Sequence, residues 1–254
     1  MQGERAEDRV VIGVTGAEAL PFLQGLVSND VLPLGKGPGM VWAALLTPQG
    51  KYLADFLLAN PDGRLLIDVK RDFAAGLLKR LGMYRLRADV QLAELPLCVT
   101  RGLGEAPSGA FADPRHPALG WRRYDSVPAA HPQIDWDAIR VAEMIPESGI
   151  ELLPDDTYIL EAGFERLHGV DFRKGCYVGQ EVTARMKHKT ELRKGLVRLQ
   201  IEGAAPAGTE ILAGDKPAGV LFTQSGGRAL AHLRFDRSEG ALRAGQARLR
   251  LETA

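Results

Sequence analysis

Residues 171–189 read "DFRKGCYVGQEVTARMKHK", and the reading of the whole chain turns on them. They hold one of only two cysteines, Cys176, with Gly175 before it and Gly179 after it. Val178, Val182 and Met186 recur every four residues, a spacing that predicts a helix beginning near Tyr177. Gly175 and Cys176 then fall at the helix's N-terminal edge. Backbone N–H groups there attract anions and favour a thiolate, and Arg173 and Lys174 push the same way. Glycines at 175 and 179 would let another backbone or a flat ligand approach closely. From Asp171 to Arg198, eight basic side chains face three acidic ones, which points to an anionic ligand or partner. From the residues alone, two readings of Cys176 stay open, a small buried hydrophobe or a functional thiol. The basic run likewise suits a solvated helix face.

The surroundings narrow the class. The chain has 254 residues, of which 45% are hydrophobic and 25% charged, the profile of a globular protein with a sizeable core. Thirty-two basic side chains balance 32 acidic ones, which argues against a general nucleic-acid or membrane binder. No basic N-terminal segment leads into an apolar run, and no window approaches the roughly 18 apolar residues of a membrane span. Two cysteines make no disulfide framework, so a cytoplasmic location with reduced thiols is expected. Cys98, in "LPLCVT", reads as core. An iron–sulfur cluster normally takes about four thiolates. Any cluster would therefore be shared with a partner or a second subunit.

Upstream, "RVVIGVTG" reads as a strand and "AEALPFLQGLVSND" as a helix. "MVWAALLTPQGKYLADFLLAN" reads as a hairpin turning at Thr47-Pro48-Gln49-Gly50. "RLLIDVK" is a strand, "RDFAAGLLKRLGMYRLRA" a helix stopped at Gly82, and "DVQLAEL" a strand. Residues 101–133 are rich in glycine and proline and read as irregular connections around short strands. "WDAIRVAEMI" is a helix ended by Pro146, and "TYILEAGFERLHG" a second helix with Leu160, Phe164 and Leu167 buried. Beyond Leu192, short strands at even spacing predict a small barrel. The expected layout is α+β, with residues 1–190 forming two α+β subdomains and residues 191–254 a β-barrel.

"KGCYVGQEVTAR" closely resembles the signature of the YgfZ-like family of folate-binding proteins, relatives of the aminomethyltransferase (T-protein, GcvT) of the glycine cleavage system. "FLQGLVSNDV", "TPQGKYLADF", "RLGMYRLRADV", "DPRHPALGWR" and "AGVLFTQSGGRALAHLR" are similar to other family segments in the same order, so the resemblance spans residues 9–250. It implies a ring of α+β subdomains with a central folate-binding channel and a C-terminal barrel. It implies tetrahydrofolate as cofactor, and a role in making or maintaining iron–sulfur enzymes alongside them or cluster-assembly proteins. Cys176 becomes the functional thiol within a signature of Lys174, Gly175, Tyr177, Gly179, Gln180, Glu181 and Arg185.

For folate itself, the pterin edge offers neighbouring N–H donors to one carboxylate, and its flat ring suits an aromatic wall. Trp136 aligns with a family tryptophan at the folate pocket, although from the residues alone it reads as a core residue. The pterin-binding glutamate of T-proteins falls here on Ala142, with Glu143 one residue later, an offset of about 100° on a helix. Glu161 is the next candidate. A second family tryptophan is replaced, at Arg9. The acidic pair after the first hairpin turn is reduced to Asp55 beside Ala54, which weakens the alternative of aminomethyl transfer, whose proton handling needs a carboxylate.

Overall fold

The computed structural model describes residues 3–189, 191–238 and 240–252. Two compact units make up the chain, Met1–Ile134 with Glu165–Gln180, and Asp135–Phe164 with Glu181–Ala254. The boundary expected between residues 190 and 191 falls at Thr190, outside the described residues. Residues 135–164 cluster with the barrel.

The first unit holds strands β1 (Glu4–Arg5), β2 (Arg9–Thr15), β3 (Gly39–Leu46), β4 (Tyr52–Asn60), β5 (Leu65–Lys70), β6 (Gln91–Leu95), β7 (Cys98–Gly102), β8 (Phe111–Ala112) and β9 (Trp121–Asp125), with helices α1 (Ala19–Gln24) and α2 (Arg71–Arg85). Five strands pair in the order β3-β4-β5-β2-β6 and four in the order β1-β7-β9-β8. On one face of the larger sheet, Ile12, Phe56, Leu58 and Ile67 pack against Leu23 of α1 and Leu77 and Leu81 of α2. On the other, Val11, Ala59 and Leu66 meet Val99 of β7. All nine residues of β4 are therefore buried, which is why its sequence is apolar on both faces apart from Asp55 and Asn60 rather than an alternation. Each such leucine or isoleucine contributes about 1.5–3 kcal/mol by burial.

A chain of charges crosses this unit. Asp68 on β5 accepts from Arg9 Nε at 2.6 Å and Arg122 Nη1 at 3.2 Å, and Asp113 accepts from Arg122 Nε at 2.9 Å and Arg115 Nη2 at 2.7 Å. Burial pushes the Asp113 carboxyl up, but Arg115 and Arg122 outweigh it and hold it far below the usual range. Burial also lifts Tyr124, beside Asp68, well above the ordinary phenol. Arg9 is thus part of a buried ion pair with Asp68.

The second unit contains α3 (Trp136–Glu143), most of α4 (Gln180–Lys189), and strands β10 (Lys194–Glu202), β11 (Glu210–Ala213), β12 (Lys216–Ser225), β13 (Arg228–Arg234), β14 (Leu242–Ala244) and β15 (Ala247–Leu251). The six strands close into a barrel in the order β10-β13-β12-β11-β14-β15. Its bore is filled by leucines and isoleucines interleaved with Ala218, Ala229, Ala231, Ala244 and Ala247, since six strands enclose little space. Outside, Val141 of α3 packs on Phe222 and Leu230.

Several local expectations are corrected. α1 has one and a half turns, not four. α2 runs through Gly82 to Arg85, because Gly82 lies on an open helix face, and it stops where Leu86 takes φ 43°. α3 stops at Met144, whose left-handed φ of 51° reverses the chain before Pro146 is reached. Residues 157–169 are a series of turns rather than a helix. Their hydrogen bonds reach back three, four and five residues (Gly163 N to Leu160 O, Ala162 N to Tyr158 O, Phe164 N to Ile159 O), and Gly163 sits at φ 81°. Leu160, Phe164 and Leu167 are buried all the same. Cys98 is only half-buried, at the start of β7.

Candidate functional site

The signature loop is fastened to the first unit at four places. Asp171 N donates to Ser28 O at 3.0 Å, and the Ser28 hydroxyl donates to Gly169 O at 2.6 Å while accepting from Ala44 N. Asn29 Nδ2 donates to Trp42 O at 2.8 Å and His168 O at 2.7 Å. Lys174 Nζ reaches Gln24 O at 2.5 Å and Val27 O at 2.7 Å, carbonyls at the end of α1, and Gln24 Nε2 returns a bond to Lys174 O at 3.2 Å. Gly179, at φ 84°, lies flat against the β3–β4 turn, where a Cβ would meet Thr47 O at 2.5 Å.

This fastening differs from the expected helix edge. α4 begins at Gln180, not Tyr177, because Gly179 holds a conformation no helix contains. Cys176 is four residues before the helix, so the helix-start argument for its thiolate does not apply. What the loop does is display the thiol. Cys176 is exposed and free, while Tyr177 beside it is buried. The Lys174 ammonium lies 4.8 Å from the Tyr177 ring centroid, a cation–π contact that ties the flanking residues together. Burial pushes Lys174 down to about 8, against the pull of Asp30, Asp171 and Cys176, which favour its charge. Gln180 caps the turn by accepting from Tyr177 N at 3.0 Å. Glu181 in the first turn of α4 and Lys187, His188 and Lys189 in the last complement the helix dipole, which accounts for much of the basic run. Arg185 is exposed on the same helix.

The residues expected at the pterin lie in the second unit. Trp136 opens α3 and is 8% exposed. Asp135 caps the helix by accepting from Ala138 N at 2.9 Å. Glu143 closes α3, two turns and about 10 Å along the axis from Trp136. Glu161 is neither helical nor exposed: its carboxylate is buried, with Lys194 Nζ at 3.5 Å and His232 Nε2 at 3.6 Å. It lines a cavity of about 280 Å³ with Met186, Glu191, Leu192, Arg193, Lys194 and Arg234. Neither Trp136 nor Glu143 lines that cavity. It offers a carboxylate for N–H donors and cations for an acidic tail, but no aromatic wall, and its volume is just below the ~300–1,000 Å³ of typical ligand pockets.

Two clusters escaped sequence reading. In the first unit, Asp55 accepts from Trp42 Nε1 at 2.8 Å and from the Tyr52 hydroxyl at 2.7 Å, and the Arg115 guanidinium stands 5.8 Å from the centroid of the Trp42 ring. In the second, Glu151 accepts from Arg140 Nη1 at 3.0 Å and from Thr223 Oγ1 at 2.5 Å. Arg115 and Thr223 are far in sequence from the groups they join, and the nearer partners, Trp42, Tyr52 and Asp55 on one hairpin and Arg140 and Glu151 on either side of a turn, form no recognisable motif. Among the described residues, no three His, Cys, Asp or Glu side chains gather as metal ligands.

Residues 193–254 match the family described as CAF17, C-terminal beta-barrel domain. Over nearly its full length the chain is similar to the mouse iron-sulfur cluster assembly factor IBA57, mitochondrial, at 32% identity, covering 98% of this chain and 77% of that protein. The human protein of the same name is 31% identical, covering 94% and 79%. The IBA57 homolog of Mycosarcoma maydis is 34% identical over 75% of this chain, which spans 55% of that relative's length. Among solved structures, the glycine cleavage system aminomethyltransferase T of Bartonella henselae superposes with TM-score 0.77 at 15% identity, over 99% of this chain and 84% of that one. That likeness establishes a GcvT-like fold, with its α+β sheets and closed barrel, and nothing of activity. The expected cytoplasmic location is overturned, since the mouse, human and fungal relatives are named as mitochondrial. No helix among the described residues is long and apolar enough to cross a membrane.

Proposed function

The chain belongs to the family of the iron–sulfur cluster assembly factor IBA57, and we propose that it serves as an accessory protein in the assembly or maintenance of iron–sulfur enzymes, with Cys176 as its working thiol. The observation that carries this reading is the exposed sulfur of Cys176 on a loop locked to the first unit. A thiolate is a soft ligand suited to iron–sulfur chemistry. A cluster normally takes about four, so the remaining ligands come from a partner protein, either the iron–sulfur enzyme or another assembly factor. The cluster is cargo, and the chain's own task is to hold one sulfur in a fixed and accessible place. Replacing Cys176 with serine tests this, because an exposed side chain can change without loss of fold.

We further propose that the chain is YgfZ-like in binding tetrahydrofolate. Glu161 would accept from the pterin donors, and Arg193, Lys194 and Arg234 would hold the anionic tail. Trp136 and Glu143 are assigned to the same ligand by resemblance alone. Aminomethyl transfer on the folate is the alternative reading. Its one candidate carboxylate, Asp55, is buried and already engaged by Trp42 and Tyr52.

A further inference from the structure

The barrel carries a second feature, remote in sequence from the signature loop. Outward side chains of β10, β13 and β15 alternate with the core residues Leu199, Ile201, Ala229, Leu249 and Leu251. In register across the three strands stand Arg250, Gln200 and Arg228, and next to them Arg248 faces Glu202. Arg228, Arg248 and Arg250 are exposed, and they line an open cavity of about 580 Å³ beside the Gly226-Gly227 turn. Glu252 already shows what this face takes. Its carboxylate bridges two guanidiniums, accepting from Arg228 Nε at 2.8 Å and from Arg198 Nε on the other oxygen.

We infer that this face docks an extended acidic segment of a partner protein. Side chains two apart on a strand lie about 6.7 Å apart on one side. Arg248 and Arg250 therefore match carboxylates at alternate positions of an extended chain, and guanidinium–carboxylate forks give both charge and direction. The face belongs to a closed barrel with no free edge, so recognition runs through side chains rather than an added strand. In a protein of zero net charge, four arginines against Glu202 and Glu252 make a local positive field, which speeds encounter with an acidic partner. Glu252 is the internal competitor that the segment displaces.

The probe is a fluorescein-labelled peptide of alternating glutamate and threonine, read by fluorescence anisotropy against the full chain. Wild type binds it, with affinity that falls as salt rises. Arg248→Ser with Arg250→Ser weakens binding about tenfold or more, whereas Glu252→Gln strengthens it several-fold, and all variants keep the wild-type melting curve. A peptide with its glutamates in one block binds more weakly than the alternating one. The inference is overturned if wild type shows no binding, if the double variant binds as wild type does, or if a single-stranded DNA probe or inorganic phosphate competes as well as the peptide.

Discussion

A Cβ on Gly179 would lie 2.5 Å from the carbonyl oxygen of Thr47. The glycine of the signature and the turn of the first hairpin are therefore in backbone contact, and the Cys176 loop is built against that hairpin. Gly179→Ala adds a clash to a φ of 84°, and a cost of about 2–3 kcal/mol is expected in urea denaturation. Gly175→Ala, with a similar φ but open space around its Cβ, should cost only about 1 kcal/mol. Equal costs would show that contact with Thr47 does not hold the loop.

Lys174 links the loop to α1 and titrates unusually. Burial lowers its native value from 10.5 to about 8, so between those values the unfolded chain binds the proton and the native chain does not. Stability from this group is lowest below pH 8 and rises as pH goes from about 8 to about 10.5. Relative to Lys174→Met, wild type should gain on the order of 1 kcal/mol across that window, after allowance for partial exposure. Urea midpoints of both proteins at several pH values check the sign. A difference that stays flat would mean that Lys174 is not desolvated.

Asp113 titrates in the opposite sense. Its native value is depressed, so its contribution is complete above about pH 4 and is lost as pH falls below the unfolded value. Asp113→Asn leaves Arg122 and Arg115 buried beside a neutral amide and should cost about 3–5 kcal/mol at neutral pH. Acid unfolding of the variant should then be shallower than that of wild type.

Folate binding is read by melting temperature. Tetrahydrofolate at a hundredfold excess over its dissociation constant should raise Tm by about 5 °C. Glu161→Gln should abolish most of the rise. If the shift persists in that variant but disappears in Trp136→Ala, the pterin carboxylate lies elsewhere.

Much of this architecture could be read directly. The apolar strands on either side of Thr47-Pro48-Gln49-Gly50 announce the β3–β4 hairpin, and the evenly spaced short strands after Leu192 announce the barrel, because both signals are local. Chain ends of helices were harder. Gly82 looked like a stop but lies on an open face, whereas Met144, an unremarkable residue, takes the left-handed turn that ends α3. Residues 157–169 have a helical burial stripe without a helix, since apolar spacing reports which residues are buried and not how the backbone closes its hydrogen bonds. At the site, Cys176 stands out by residue type, but the helix that the apolar spacing places at Tyr177 begins at Gln180, so the thiol sits on a loop and not at a helix start. Its actual anchors, Ser28, Asn29 and Gln24, lie about 140–150 residues away in the chain, and nothing in their spacing announces the contact.

The central claim rests on one sulfur. In cells depleted of the native protein, wild-type chain and Cys176→Ser should be expressed to equal levels with matching melting curves, and iron–sulfur enzyme activity measured in each extract. The account predicts recovery with wild type and none with Cys176→Ser. Full recovery with Cys176→Ser would contradict it.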